Sequence, residues 1–426
     1  TTLSDGSISG GPMYYIEKSF NKRWAGVLFA ALMMVCAIGS GNMPQINNIA
    51  SVLDSTFSIP KLATGLILGV MLWLIISGGI KRIAKIASKL VPFMAVIYFG
   101  GALVVVIENY QNIIPSFHSI FSQVFSGSAA AGGFLGASFA MSLKLGVARG
   151  LYSNEAGQGS SPIAHASAKT KHSVEQGMVS ILEPFIDTIV VCSVTALVIL
   201  SSGAWTQKYE NTFERSSMAI FAGDYTESNS SDVEELGKYI LDARKFTSNT
   251  TTVKNFSGNL NVINGELQQD GITIFHNNSI AEDVTFYKDG EYFDGSLEVS
   301  DGDLKDSSIK VEGKSLIHSA ELTSKAFASG VLGKIGEYIV AIGLLLFAFS
   351  TAIAWSYYGD RSTAYIFGEN AVPWYRMIYV VSFIAAAVID TTIVWNIAYV
   401  VVALVTIPNL FALFILRKEM KEQVTN

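Results

Sequence analysis

Arg149-Gly-Leu-Tyr-Ser-Asn-Glu-Ala-Gly-Gln-Gly-Ser-Ser-Pro162 is the stretch on which the fold turns. It interrupts a longer segment, Phe134 to Ala168, in which an apolar run gives way to Arg149, Asn154 and Glu155. A charge at bilayer depth costs about 2.5 to 3.5 kcal/mol on insertion scales, so such residues must pair, meet water or do work. Gly150, Gly157 and Gly159 permit open backbone, and Pro162 suits the first turn of a new helix better than the middle of an old one. Two readings follow. Either a membrane helix is broken here and lines a wet cavity, where freed NH and carbonyl groups can bind an anionic group and a cation, or a helix ends near Arg149 and runs on as a cytoplasmic loop.

Outward from this stretch the chain is apolar. Of its 426 residues 50% are hydrophobic and only 15% charged, against roughly 25% charged in soluble domains. A membrane-spanning helix needs about 20 apolar residues, and eight segments approach that: Trp24–Leu53, Leu62–Gly79, Leu90–Ile107, Phe134–Ala168, Met178–Leu200, Tyr338–Tyr358, Met377–Ile389 and Val394–Leu416. An all-α polytopic membrane protein is the expectation. Basic residues in short loops set orientation. Lys18, Lys22 and Arg23, then Lys81, Arg82, Lys85 and Lys89, then Lys169 and Lys171, Arg361, and Arg417, Lys418 and Lys421 all fall on one side, the cytoplasm. Asp54 and Glu108 fall on the other.

The net charge of -6 is unevenly spread: 21 of 35 acidic but only 12 of 29 basic residues lie between Thr206 and Lys334. That parity places residues 206–318 outside the cytosol, between transporter segments 1–205 and 319–426. Alternating pieces such as Val284–Tyr287, Leu297–Val299 and Ile309–Val311 are punctuated by Asn264-Gly265, Asp270-Gly271, Asp289-Gly290, Asp294-Gly295 and Asp301-Gly302. Asx-Gly pairs suit tight hairpin turns with positive φ, so a small β-rich extracytosolic insert is expected. Asp289, Asp294, Asp301, Asp303 and Asp306 carry hard oxygen ligands of the kind calcium takes, but their spacing is not that of an ordered loop, and a solvated acidic face is the better reading.

Within the apolar segments, Asn42 and Gln45 are three apart and share a helix face, with Pro44 between them as a kink. Glu183 and Asp187 are four apart around Pro184, with Lys144 or Arg149 as expected partners. Phe347-Ala-Phe-Ser-Thr351 sets two hydroxyls side by side, a sodium cage or two hydroxyls bonded back to their own helix. Cys36 and Cys192 sit singly in apolar runs, and no basic tract suggests nucleic acid. His165 and His172 are seven apart, off helical metal-ligand spacing, and neither a phosphate loop nor a serine elbow is present, so an enzyme is not expected.

The chain resembles the sodium:alanine (alanine or glycine:cation) symporter family. The resemblance rests on Gly10-Gly-Pro-Met-Tyr-Tyr-Ile-Glu17, Gly41-Asn-Met-Pro-Gln-Ile-Asn47, Gly79-Ile-Lys-Arg-Ile-Ala84, Gly146-Val-Ala-Arg-Gly-Leu-Tyr-Ser-Asn-Glu-Ala-Gly157, Leu182-Glu-Pro-Phe-Ile-Asp187, and Phe347-Ala-Phe-Ser-Thr351 with Trp355-Ser-Tyr-Tyr-Gly359. It implies a leucine-transporter-like fold of two inverted five-helix repeats, with helices three to ten present here and earlier helices missing from an N-terminally truncated sequence. It further implies that Tyr152, Ser153 and Asn154 of the unwound helix face substrate, that Gln45 approaches the amino-acid backbone groups and that Trp355 walls the pocket. Ser350 and Thr351, with the carbonyl of Phe347, resemble the family's sodium-binding stretch. Tyr152 stands where phenylalanine is expected and Pro44 where an aliphatic residue is more usual.

The implied activity is import of a small neutral amino acid, alanine or glycine, with co-transported sodium across the plasma membrane. The alternatives are a proton-coupled symporter on the same scaffold and, from another class, a membrane solute sensor that uses the insert. A passive channel would pass substrate without sodium.

Overall fold

The computed structural model describes residues 8–126, 139–168, 170, 172–243 and 252–425. Lys169 and Lys171, part of the orientation argument, lie outside them, as does the start of the segment from Phe134. The chain divides into two compact units, one of Thr1–Val104, Val147–Ala196 and Leu332–Asn426, the other of Val105–Gly146 and Leu197–Val331.

The first unit is helical. Short α1 (Pro12–Phe20) leads to α2 (Arg23–Gly39), α3 (Met43–Phe57), α4 (Lys61–Ile76) and the long α5 (Gly79–Glu108), whose last residues enter the second unit, where α6 (Ile113–Ser126) follows. The chain returns through α7 (Phe139–Ser153), short α8 (Glu155–Gln158) and α9 (Ser161–His165), then α10 (Ser173–Ser180) and α11 (Leu182–Pro184). A π-helical stretch, Phe185–Val191, continues into α12 (Cys192–Ser202). Proline explains that widening: Pro184 has no N–H to close the preceding turn. Among the described residues five stretches are long and apolar enough to cross a membrane: Arg23–Phe57, Arg82–Glu108, Val174–Ser202, Lys334–Phe367 and Thr391–Glu419. Lys61–Ile76 is apolar but shorter.

Three features differ from the sequence expectations. The first apolar segment is two helices, because Ser40, Gly41 and Asn42 interrupt it and Pro44 lies in the first turn of α3 rather than at a kink. Lys81, Arg82, Lys85 and Lys89 lie on α5 itself, which starts right after the Ser77-Gly78 turn. Arg361 is buried within a helix, its guanidinium over the Tyr357 ring, rather than in a loop.

Helix surfaces suit an apolar solvent. On α4, Thr64, Gly65, Leu68 and Leu72 are buried while Leu62, Leu66, Ile67, Val70 and Leu74 are exposed, a face as apolar as the one it hides. Lipid tails are as apolar as leucine, so what holds such helices together is close packing and interhelical hydrogen bonding. Gly65 and Gly69 supply the first: a Cβ at Gly65 would lie 2.7 Å from Cβ of Ala387, and one at Gly69 2.5 Å from Cγ1 of Ile384. Asn47 supplies the second, donating to the carbonyls of Ala386 (3.0 Å) and Ile389 (2.6 Å) and accepting from Thr391 (2.8 Å).

The second unit carries all the strands of the described residues, in three antiparallel four-stranded sheets. One orders Tyr209–Thr212, Ile309–Ser315, Glu282–Lys288 and Glu291–Tyr292; another Asp303–Leu304, Gly295–Ser300, Gly258–Ile263 and Glu266–Leu267; the third Lys254–Asn255, Met218–Ala222, Ile272–His276 and Ser279–Ile280. Tight turns set the registers: Asn264-Gly265, Asp289-Gly290 and Asp301-Gly302 have both residues at positive φ, and so does Asn277-Asn278. Inward residues including Leu260, Val262, Phe286, Leu297 and Val311 form its core. Helix α13 (Ser230–Ala243) falls between the strands Met218–Ala222 and Lys254–Asn255, α14 (Ser319–Ala328) follows the last strand, and α15 (Lys334–Phe367), α16 (Val372–Ala386) and α17 (Thr391–Thr425) complete the first unit.

Candidate functional site

Two helix breaks meet in the first unit. At the α2–α3 break, Pro44 has no N–H to offer the carbonyl four residues back, and that carbonyl, Ser40 O, instead accepts from the Tyr152 hydroxyl at 3.0 Å. Gln45 Nε2 donates to the same hydroxyl at 3.1 Å, so the phenol of α7 links both sides of the break. Its ring packs 5.1 Å from that of Trp395 on α17. Gly41 is pressed under Trp355 of α15, with room for no side chain: a Cβ there would stand 2.2 Å from the indole Cγ.

The second break separates α7, α8 and α9. Asn154 leaves helical geometry (φ -93°, ψ 84°), and its Oδ1 accepts from the Gly157 N–H at 3.1 Å, a cap that starts α8. Gly159 ends α8 with φ 86°, the left-handed region glycine tolerates, and Pro162 opens α9. The helix thus runs past Arg149 to Ser153 and breaks at Asn154, followed by two short helical pieces. Freed carbonyls are satisfied by amides. Gln158 Nε2 donates to Leu151 O at 2.7 Å and Tyr152 O at 2.8 Å, and Asn409 Nδ2 to Ala156 O at 3.2 Å and Gly157 O at 2.9 Å. Tyr15 of α1 donates in turn to Asn409 Oδ1. Neither amide stood out in the sequence. Asn409 announces itself only as a polar residue after Pro408 in an apolar run, and Gln158 only by its place between two glycines.

The residues singled out from sequence fall into three places. Gln45, Tyr152 and Trp355 gather where the two breaks meet. Ser153 faces elsewhere, donating to Asp187 Oδ2 at 2.8 Å and sharing a 2.6 Å hydrogen bond with Thr188, and Asn154 is exposed and spent on its cap. Ser350 and Thr351 lie one to two turns before Trp355 on α15, and both donate to the Phe347 carbonyl, at 2.8 and 3.0 Å. Three oxygens thus converge, each hydroxyl bonded back to its own helix.

The acidic pair finds partners other than those expected. Glu183 Oε2 accepts from Ser161 at 2.6 Å and meets His165 Nε2 at 3.2 Å. Arg149 lays its guanidinium 3.9 Å over the Trp395 ring, a placement in which the indole face offsets the charge. Among the described residues no group of three His, Cys, Asp or Glu is placed to hold a metal ion.

The sequence matches the sodium:alanine symporter family over residues 1–230 and 307–426. The chain belongs to that family. An uncharacterized transporter of Haemophilus influenzae is 32% identical over 420 residues, 98% of this chain and 69% of that protein. The sodium/alanine symporter AgcS of Methanococcus maripaludis is 31% identical over 420 residues, 98% and 68%. A probable sodium/glutamine symporter, GlnT of Bacillus subtilis, is 42% identical over 196 residues, 46% of this chain and 40% of its own. The chain spans about two thirds of the first two and less than half of the third. Membership of the sodium:alanine symporter family makes this a membrane protein of cation-coupled amino-acid symport, and it gives the juxtaposed helix breaks their context.

Proposed function

We propose that this protein imports alanine or glycine with sodium across the plasma membrane, on a leucine-transporter-like scaffold whose inverted repeats place the site at mid-membrane. The chain's ends are cytoplasmic and the strand-bearing residues 206–318 extracytosolic. The observation that carries the reading is the meeting of two broken helices under Trp355 and Tyr152. Broken helices are how membrane transporters offer main-chain groups to an ammonium, a carboxylate and a cation at once.

In this reading Gln45 and the main chain around Tyr152, Ser153 and Asn154 hold the amino-acid backbone groups, and Tyr152 and Trp355 limit side-chain volume. Ser350, Thr351 and the Phe347 carbonyl hold sodium. To receive the ion both hydroxyl hydrogens turn away from that carbonyl, which exposes three oxygen lone pairs in one place. GlnT's name points to a larger substrate for that relative, and the bulk of Tyr152 and Trp355 favours the smaller one here. Radiolabelled alanine uptake by the full-length protein in proteoliposomes tests the reading. Uptake that follows an inward sodium gradient supports it, and equal uptake without sodium refutes the coupling.

A further inference from the structure

Glu155 is the one carboxylate that the residues of the second break themselves carry, Glu183 and Asp187 reaching it from the neighbouring helix. Its Oε1 accepts from the Trp355 indole N–H at 3.0 Å, and its Oε2 from the Tyr358 hydroxyl at 3.1 Å and the Ser160 hydroxyl at 3.1 Å. Among the described residues no lysine, arginine or histidine lies within ion-pair distance of it. The other titratable groups that face this corner are Tyr358 on α15, Cys36 on α2 and Glu183 on α11, the last held by Ser161 and His165; Tyr15 of α1 reaches the break through Asn409. A carboxylate with three neutral donors and no cation beside it carries its charge alone.

The donor set is built for two protonation states. An indole N–H only donates, which fixes Oε1 as an acceptor. Oε2 faces hydroxyls, and a hydroxyl both donates and accepts. Ser160 Oγ also lies 3.3 Å from the carbonyl of Glu155 itself. When a proton from water bonds to Oε2, the new O–H donates to Ser160 Oγ, and the serine hydrogen turns to that carbonyl. Tyr358 continues to donate. One O–H bond breaks in the hydronium ion that supplies the proton, leaving water, and one forms on Oε2; one hydrogen bond changes acceptor, and no polar atom is left without a partner in either state.

We propose that Glu155 is a proton-binding site whose occupancy is linked to amino-acid binding. The link is geometric: Glu155 and Ser160 belong to the broken helix, Trp355 and Tyr358 to α15, so the carboxylate's surroundings change whenever the two separate or close. If the proton's affinity differs between those arrangements, substrate binding must take up or release protons, and pH must shift substrate affinity by the reciprocal amount. The inference rests on the symport reading for its second half only.

Two measurements on the full-length protein in detergent test it. In the first, infrared difference spectra are recorded between about pH 5.5 and about pH 8, without substrate, on wild type and Glu155→Gln. Glutamine copies the protonated acid at the indole and at Ser160, since its carbonyl accepts from the one and its amide donates to the other; Tyr358, which cannot donate to an amide nitrogen, turns to accept the second amide hydrogen. A protonated-carboxyl C=O band present in wild type and missing from E155Q is expected; identical spectra overturn the proton site whatever the protein transports. The second follows radiolabelled alanine binding over the same range at fixed sodium. Wild-type affinity should change at least about threefold, E155Q should be flat, and Ser160→Ala should reduce the change. A flat wild type, or an E155Q that keeps the wild-type pH dependence, overturns the linkage. Where E155Q does not fold, the wild-type curve and S160A decide. Absence of alanine binding at every pH and sodium concentration, with the infrared band present, sinks the symport reading and leaves the proton site standing.

Discussion

Gly41→Ala is the sharpest perturbation of the meeting point of the two breaks. An added Cβ would lie 2.2, 2.3 and 2.4 Å from Cγ, Cδ2 and Cβ of Trp355. Carbon atoms rest about 3.5 to 4 Å apart, so the indole must retreat on the order of 1 Å or the helices must part. The nearest atoms are the ring's root and fused edge, which cannot bend aside. A shift of that size takes Nε1 out of its 3.0 Å bond to Glu155. Overpacking of this kind costs about 1 to 3 kcal/mol, and a hydrogen bond to a charged group is worth about 1.5 to 3 kcal/mol. If only the smaller figures apply and half of the sum falls on the substrate-bound arrangement, alanine affinity drops roughly eightfold. The assay is saturation binding of radiolabelled alanine at high sodium, with Gly100→Ala as control. At Gly100 a Cβ meets nothing within 4 Å, so that change should be neutral or slightly stabilising. If G41A binds alanine within about twofold of wild type while folding normally, the indole does not have to sit where it does, and Trp355 is not part of the pocket wall.

Three other outcomes are expected. Changing Ser350 and Thr351 together to Ala should raise the sodium concentration for half-maximal uptake much more than it alters alanine affinity at saturating sodium; an unchanged sodium dependence removes them from the ion site. Tyr152→Ala should let valine and leucine compete with alanine, whereas Tyr152→Phe should keep the size ranking and weaken binding, because it retains the ring and loses the bonds to Ser40 and Gln45; identical competition profiles in both variants would show that Tyr152 does not set pocket volume. In the strand-bearing unit the carboxyl of Glu235 is lowered to about 2 by the Thr252 hydroxyl and N–H and by Lys238, and that of Asp306 to about 2 by Ser308 and Lys288. Depressed values mean stability present above the ordinary carboxylate range and lost as pH falls toward 2, so hydrogen exchange of amides 209–315 should speed up on acidification, less steeply in Glu235→Gln with Asp306→Asn.

Which parts of this molecule could be read from sequence follows from how local their causes are. The break at Asn154 was legible only as one of two readings, the other being a helix that ends near Arg149, because glycines, a proline and charges crowd one short stretch and each acts on its own backbone. Part of the hairpin chemistry was legible too: Asn264-Gly265, Asp289-Gly290 and Asp301-Gly302 take positive φ at both residues because the residues themselves permit it, whereas Asp270-Gly271 and Asp294-Gly295 do so at the glycine alone. The break at Gly41 was misread as a kink within one helix, since a single proline in an apolar run does not reveal that Tyr152, more than a hundred residues away, will take the carbonyl it frees. Partners of Glu183 were misassigned for the same reason. Charge arithmetic favoured Lys144 or Arg149, but an arginine can be accommodated by an indole face, and only the fold brings Trp395 to it. Arg361 was placed in a loop because basic residues are costly in apolar helices, yet the buried half of α15 supplies an aromatic neighbour.

The two breaks also explain why so many amides and hydroxyls sit where lipid-like surroundings would penalise them. Irregular backbone at membrane depth exposes carbonyls that water cannot reach, at several kcal/mol each. Here the carbonyls of Ser40, Leu151, Tyr152, Ala156 and Gly157 are each met by a side chain: Tyr152, Gln158 or Asn409. The backbone hydrogen bonds of a helix cannot be exchanged without unwinding it, but a side-chain donor can rotate away and be replaced by an ammonium or a cation at little cost in backbone order. A segment held this way has two ways of being satisfied, one with its own side chains and one with cargo. Under the symport reading proposed above, that is the bistability alternating access requires, and it would assign Gln158 and Asn409 to the switch alongside the residues proposed to hold substrate.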